Sequence, residues 1–216
     1  MSKIIGIMGE SGSGKTTSLR ELPPDKTLYI DCDKKGLSWK GWRKQYNAAN
    51  KNYLQIDTPE LVLNYLQRVK QHTAPFEKTE YVVIDTLNGI MVADEMRRMK
   101  EKGYDKWQDL ATSVYGIIDF ALSMPDGITV IFTAHTQTDH DDNGYIFTRI
   151  KTSGKKLDKI GIETKLPVVL HAKANDGKYV FETHARNSTA KTPLGAFEQD
   201  EIPNNIMDVL KALEEY

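Results

Sequence analysis

Short apolar runs alternate with amphipathic stretches along most of this chain, a pattern that predicts an α/β fold built on a mostly parallel sheet. Residues 3–8, with Ile4, Ile5, Ile7 and Met8, make the first strand; 27–30, 81–86 and 128–133 make the next three. Runs this apolar suit strands covered on both faces. Helices are expected between them. Residues 16–22 read as a helix stopped by Pro23 and Pro24. Residues 58–71 read as another, with Thr58 as N-cap, Pro59 at the first helical position, and Val62, Leu63, Leu66 and Val69 on one face. Two more are expected over 89–102 and 106–124, the second with Trp107, Leu110, Val114, Ile118 and Leu122 on one side. Met91, Met96 and Met99 read as core filling.

Towards the C-terminal end the pattern changes. Asn143 and Gly144 predict a hairpin turn, and Asn175, Asp176 and Gly177 turn a second hairpin between 168–172 and 178–183. A last helix begins near Pro203, with Ile206, Val209, Leu210 and Leu213 on one face. The expected fold is therefore three-layered α/β, parallel at its centre, with antiparallel hairpin strands near the end.

The first strand runs directly into Gly9, Glu10, Ser11, Gly12, Ser13, Gly14, Lys15 and Thr16, the complete G-x-x-x-x-G-K-[ST] spacing of a phosphate-binding loop. Glycines let successive N–H groups face the phosphates, Lys15 reaches the outer phosphates, and Thr16 is placed to ligate Mg²⁺. The binding residues expected are Gly9 to Thr17, with Thr17 as the last. ATP and Mg²⁺ are the implied ligands.

Other polar residues gain meaning from this loop. The second strand delivers Asp31, Cys32 and Asp33 to the same end of a parallel sheet, where Asp33 is the preferred catalytic base; the alternative is that both carboxylates cap the turn. The third strand ends in Asp85, which can hold the metal shell through water, and Thr86 either orients a water or caps the next helix. The fourth ends at His135, the first candidate for a group touching the terminal phosphate, with Gln137 second.

Composition narrows the picture further. The chain of 216 residues has 39% hydrophobic and 27% charged residues, which suits one globular domain over 1–216. A formal net charge of −1 gives no global attraction to polyanions, so such a site must be a local patch. Cys32 is the single cysteine, which excludes an intramolecular disulfide. No run is apolar and long enough to span a membrane, and a cytoplasmic location is expected.

Two local patches are basic. Lys34, Lys35, Lys40 and Arg43 interleave with Trp39 and Trp42, cations and ring faces that suit a single-stranded nucleic acid groove; the alternative is a solvated turn whose tryptophans enter the core. Arg149, Lys151, Lys155 and Lys156 form the second patch, beside His135. Asp139 to Ile150 begins like a calcium loop, but Ile150 stands where a bidentate Glu is needed.

The order of these parts resembles the RecA-like P-loop ATPases, and among them the short phage-encoded recombinase-core group. The resemblance implies a RecA-like three-layer fold, ATP hydrolysis coupled to single-stranded DNA in recombination or annealing, and head-to-tail rings or filaments. It implies that Lys15, Asp33, Asp85 and His135 are catalytic, although the family's base is usually Glu where Asp33 stands. Lys173 resembles the lysine of a K-x-[RK] finger that completes a neighbour's site, with Asn175 replacing the second basic residue. Two other readings remain open: a small-molecule or nucleoside kinase, because some place a D-x-D where Asp31 and Asp33 lie, and a module that ATP orders without much hydrolysis.

Overall fold

In the computed structural model, which describes residues 3–153 and 161–214, the apolar runs assemble into an eight-stranded sheet. Its first strands are β1 (Lys3–Met8), β2 (Thr27–Asp31), β3 (Tyr53–Leu54), β4 (Tyr81–Asp85) and β5 (Thr129–Ala134). β6 (Thr136–His140) and β7 (Ile146–Ile150) pair separately as an antiparallel ribbon. β8 (Val168–Asn175), β9 (Lys178–Glu182) and β10 (Glu201–Pro203) complete the main sheet. The helices described are α1 (Trp42–Gln45), α2 (Pro59–Lys70), α3 (Leu87–Arg97), α4 (Tyr104–Leu122) and α5 (Ile206–Ala212).

The strand order is β10-β9-β8-β1-β5-β4-β2-β3, parallel from β8 to β3 and antiparallel through β8, β9 and β10. β5 therefore lies between the strand that feeds the glycine-rich loop and the strand that ends in Asp85. In register, Asp31 pairs with Asp85, Ile84 with Phe132, and Ile7 with Thr133. All the chemistry-bearing strand ends thus reach one edge of the sheet.

Alternation along the strands separates two cores. Ile4, Leu28, Ile30, Val82, Ile84, Val130 and Phe132 pack with α2, α3 and α4. Ile5, Ile7, Tyr29, Val83 and Ile131 face the other way, onto Leu19, Leu22 and α5. These are the three layers expected from the sequence. Among the described residues no helix is long and apolar enough to cross a membrane.

Four local expectations are corrected. Residues 16–22 do not form an α-helix; a 3-10 turn over Thr17–Leu19 takes their place. Ser18 Oγ donates to Lys15 O (2.6 Å) and Arg20 Nη1 to Thr17 O (3.2 Å), so side chains take up carbonyls that a helix would use. α3 ends at Arg97 rather than 102, and Met96 and Met99 are 63% and 69% exposed, not core filling. Trp107 lies at the surface, its ring facing Lys106 Nζ at 5.1 Å. Thr58 and Pro59 stand where expected, at the N-cap and first position of α2, although the Thr58 side chain makes no cap bond.

The spacing on α2 gives a direct stability test. Leu66 is fully buried and Leu61, five residues earlier on the outer face, is 47% exposed. Leu66→Ala is expected to cost about 2–5 kcal/mol and Leu61→Ala under about 0.5 kcal/mol, measured as shifts in the urea midpoint.

Candidate nucleotide site

The loop after β1 closes tightly because Gly12 and Gly14 adopt φ of +79° and +92°, which a side chain would resist. Lys15 folds back over it, its ammonium donating to Gly9 O and Glu10 O, both at 2.8 Å. Those carbonyls hold the charge where a phosphate would sit. Burial lowers the Lys15 pKa to about 8, against the partly offsetting attraction of Asp85. Glu10 is drawn aside by Thr136 Oγ1 at 2.6 Å.

Asp85 is the hub of the site. It is 3% exposed, and its Oδ2 accepts from Thr16 Oγ1 (2.8 Å) and the Tyr29 hydroxyl (2.6 Å), its Oδ1 from Thr133 Oγ1 (2.5 Å). Three segments distant in sequence therefore converge on one carboxylate. Burial and Asp85 itself push the Tyr29 pKa well up, so Tyr29 remains a donor. The Asp85–Thr86 peptide bond is cis. Thr86 caps α3 by accepting from Gly89 N–H at 3.0 Å, and it donates to Asp33 Oδ1 at 3.1 Å. Thr86 thus takes the cap, one of the two roles foreseen for it, and its hydroxyl also meets Asp33.

The two acids after β2 part company. Asp31 Oδ2 accepts from Gly36 N–H, the Tyr53 hydroxyl and Gln55 Nε2, so Asp31 holds the turn together. Asp33 meets Thr86 with one carboxylate oxygen and is paired with Lys35 through the other. Lys35 itself lines the cavity with Lys15, Thr16, Thr86 and His135. His135 follows β5 into this cavity, where burial and then Lys15 lower its pKa, so it is a neutral imidazole at neutral pH. Gln137 is turned away, accepting from Thr152 N–H at 3.3 Å.

The other candidates are dispersed. Lys34 pairs with Asp57 at 2.8 Å, and Arg149 with Asp139 at 2.8 Å. Lys40 and Lys151 are exposed, and Arg43 lies over the Trp42 ring at 4.7 Å. Trp39 and Trp42 pack against Tyr29, Tyr46 and Tyr53, so their rings serve the core rather than an open groove. The ribbon tip carries Asp139, Asp141 and Asp142, a poor surface for a polyanion. Lys155 and Lys156 lie outside the described residues. Lys173 is bonded to Glu182, which is fully buried and also accepts from Ser188.

Several residues of the site escaped the sequence reading. Tyr29 and Thr133 read as ordinary strand residues, though each is a polar group inside an apolar run. Asn88 was silent, yet it accepts from His135 N–H at 2.7 Å. Gly89 allows α3 to approach: a Cβ there would stand 2.6 Å from Asp33 Oδ1 and 2.8 Å from Cys32 O.

Residues 1–194 match a family model described as an AAA domain. The chain belongs to this family. Membership of the AAA domains agrees with the P-loop fold and supports nucleotide binding. A search of curated proteins gave no match. The oxygen donors of Thr16 and Asp85 suit Mg²⁺. Among the described residues no cluster of three or more His, Cys, Asp or Glu could hold a metal ion.

Lys15 makes the AAA domain pH-sensitive in a defined direction. Between about 8 and the ordinary 10.5 the unfolded chain keeps this proton and the folded chain has lost it, so the ligand-free protein gains stability as pH rises through that window. Nucleotide affinity moves oppositely, falling above pH 8 by up to about tenfold per pH unit. Calorimetric titration in buffers of different ionisation enthalpy would detect the proton taken up, and Lys15→Met should abolish it.

Proposed function

We propose that this AAA domain binds ATP with Mg²⁺, hydrolyses it, and uses nucleotide state to control binding to single-stranded DNA, in phage recombination or annealing. One connection carries the reading. Lys151 N–H donates to His135 O and Asn88 Nδ2 donates to Lys151 O, both at 2.8 Å. A phosphate that moves His135 therefore moves a segment bearing an exposed cation. Lys40 and Arg43 add exposed charge elsewhere on the surface.

In this reading Lys15 exchanges the Gly9 and Glu10 carbonyls for phosphate oxygens. Thr16, and Asp85 through water, would hold Mg²⁺, which would neutralise charge on the phosphates. Lys35, drawn towards the terminal phosphate, leaves Asp33 able to position water, while neutral His135 donates a hydrogen bond. Self-association head to tail belongs to the same reading, and Lys173 would have to leave Glu182 to reach a neighbour's nucleotide.

One observation favours a second reading. Asp33 is engaged by Lys35 rather than free to position a water, as expected of a module that ATP orders while hydrolysing little.

Steady-state ATP hydrolysis with and without single-stranded DNA, at low and moderate salt, separates these. Stimulation that fades as salt rises, and that Lys151→Glu removes at unchanged basal rate, is the expected result. Turnover indifferent to DNA overturns DNA control. ATP-dependent assembly without turnover favours the ordered module.

A further inference from the structure

The nucleotide cavity, about 940 Å³, extends well past the phosphate loop to a wall of Tyr179, Pro203, Asn204, Asn205 and Asp208. None of these residues has a part in phosphate chemistry. Thr16, Lys35 and His135 mark the terminal-phosphate end of the cavity, so the nucleoside of a bound nucleotide must lie towards this other wall. Two of its residues stand out. The Tyr179 ring is 52% exposed on β9. Asn204 is 8% exposed, yet its Nδ2 is buried without any hydrogen-bond partner.

A buried amide without a partner is costly, and natural structures rarely tolerate one unless a ligand or water meets it. The backbone holds both groups at the loop. β10 pairs with β9, and one residue beyond it Asn204 N–H donates to Tyr179 O at 3.2 Å. A Cβ at Gly14 would stand 2.9 Å from Tyr179 Cδ1 and 3.1 Å from Asn204 Oδ1. Ring and amide therefore lie directly over the last glycine of the loop.

We propose that Tyr179 and Asn204 form the base subsite of the nucleotide cavity and select adenine; this rests on the nucleotide-binding reading above. The Tyr179 ring supplies a stacking face, and an entering base pushes it outward and opens the amide to the cavity. The Asn204 amide offers one donor and one acceptor, matching N7 and the 6-amino group of adenine. Guanine presents two acceptors on that edge and would set O6 against Oδ1. The guanidinium that could serve guanine is already used: Arg20 Nη1 donates to Thr17 O at 3.2 Å and Nη2 to Glu21 Oε1 at 2.8 Å. Asn205 is committed too, donating to Glu21 Oε2 at 2.8 Å and accepting from Met207 N–H at 3.0 Å. Asp208, exposed at the rim, suits the ribose hydroxyls.

The test compares the affinities of ATP, GTP and inorganic tripolyphosphate, each with Mg²⁺, for the whole chain and three variants. The wild type is expected to bind ATP at least about tenfold more tightly than GTP or tripolyphosphate. Tyr179→Ala should weaken ATP about tenfold and leave tripolyphosphate unchanged. Asn204→Leu keeps about the same size but loses both donor and acceptor, and should bring the ATP to GTP ratio to about one. Equal binding of ATP, GTP and tripolyphosphate, or variants that weaken tripolyphosphate as much as ATP, overturns the base subsite alone. Absence of all binding, or tripolyphosphate binding that survives Lys15→Ala, overturns the phosphate-loop reading and the subsite with it.

Discussion

The site depends on one buried carboxylate. Asp85 is out of water at the end of β4, and a charge in that position is tolerated only if donors surround it. The donors come from Thr16 after the loop, Tyr29 on β2 and Thr133 on β5. Each hydrogen bond to the charged group is worth about 1.5–3 kcal/mol, so the three together outweigh the small preferences of any local segment. Satisfying Asp85 therefore fixes how the loop, β2 and β5 stand relative to one another.

Strand order supplies the rest of the geometry. Because β5 lies between β1 and β4, its last residues emerge between the loop and Asp85, and His135 enters the cavity without a special turn. The charged groups of the site have partners within the chain: the loop carbonyls at Lys15, and Lys35 at Asp33. The same economy appears at Lys173, whose partner Glu182 sits fully buried on β9 and would lose its cation if the lysine left.

Much of this was written locally. The glycine-rich loop, the apolar strands ending in Asp31, Asp85 and Ala134, the α2 face and both hairpins depend on neighbours a few residues apart, and the sequence reading recovers them. Where side chains competed with the backbone, as Ser18 and Arg20 do after the loop, a local helix expectation failed. Where exposure depended on what lay above a helix, as at Met96, Met99 and Trp107, residue type was a poor guide. Lys35 illustrates the same limit for charge: it belonged to a basic run in sequence and to the nucleotide cavity in space.

The sequence by itself determined the phosphate loop, the α/β layering and the acid at the end of β4, because each follows from backbone periodicity and short-range spacing. Only the tertiary structure decided which polar groups meet. Tyr29 and Thr133 reach Asp85, Asn88 reaches His135 and Lys151, and Tyr179 with Asn204 closes over Gly14, across separations of dozens of residues or more. Such pairings are set by sheet order and by the need to satisfy buried charge, and neither is carried by any stretch of chain alone.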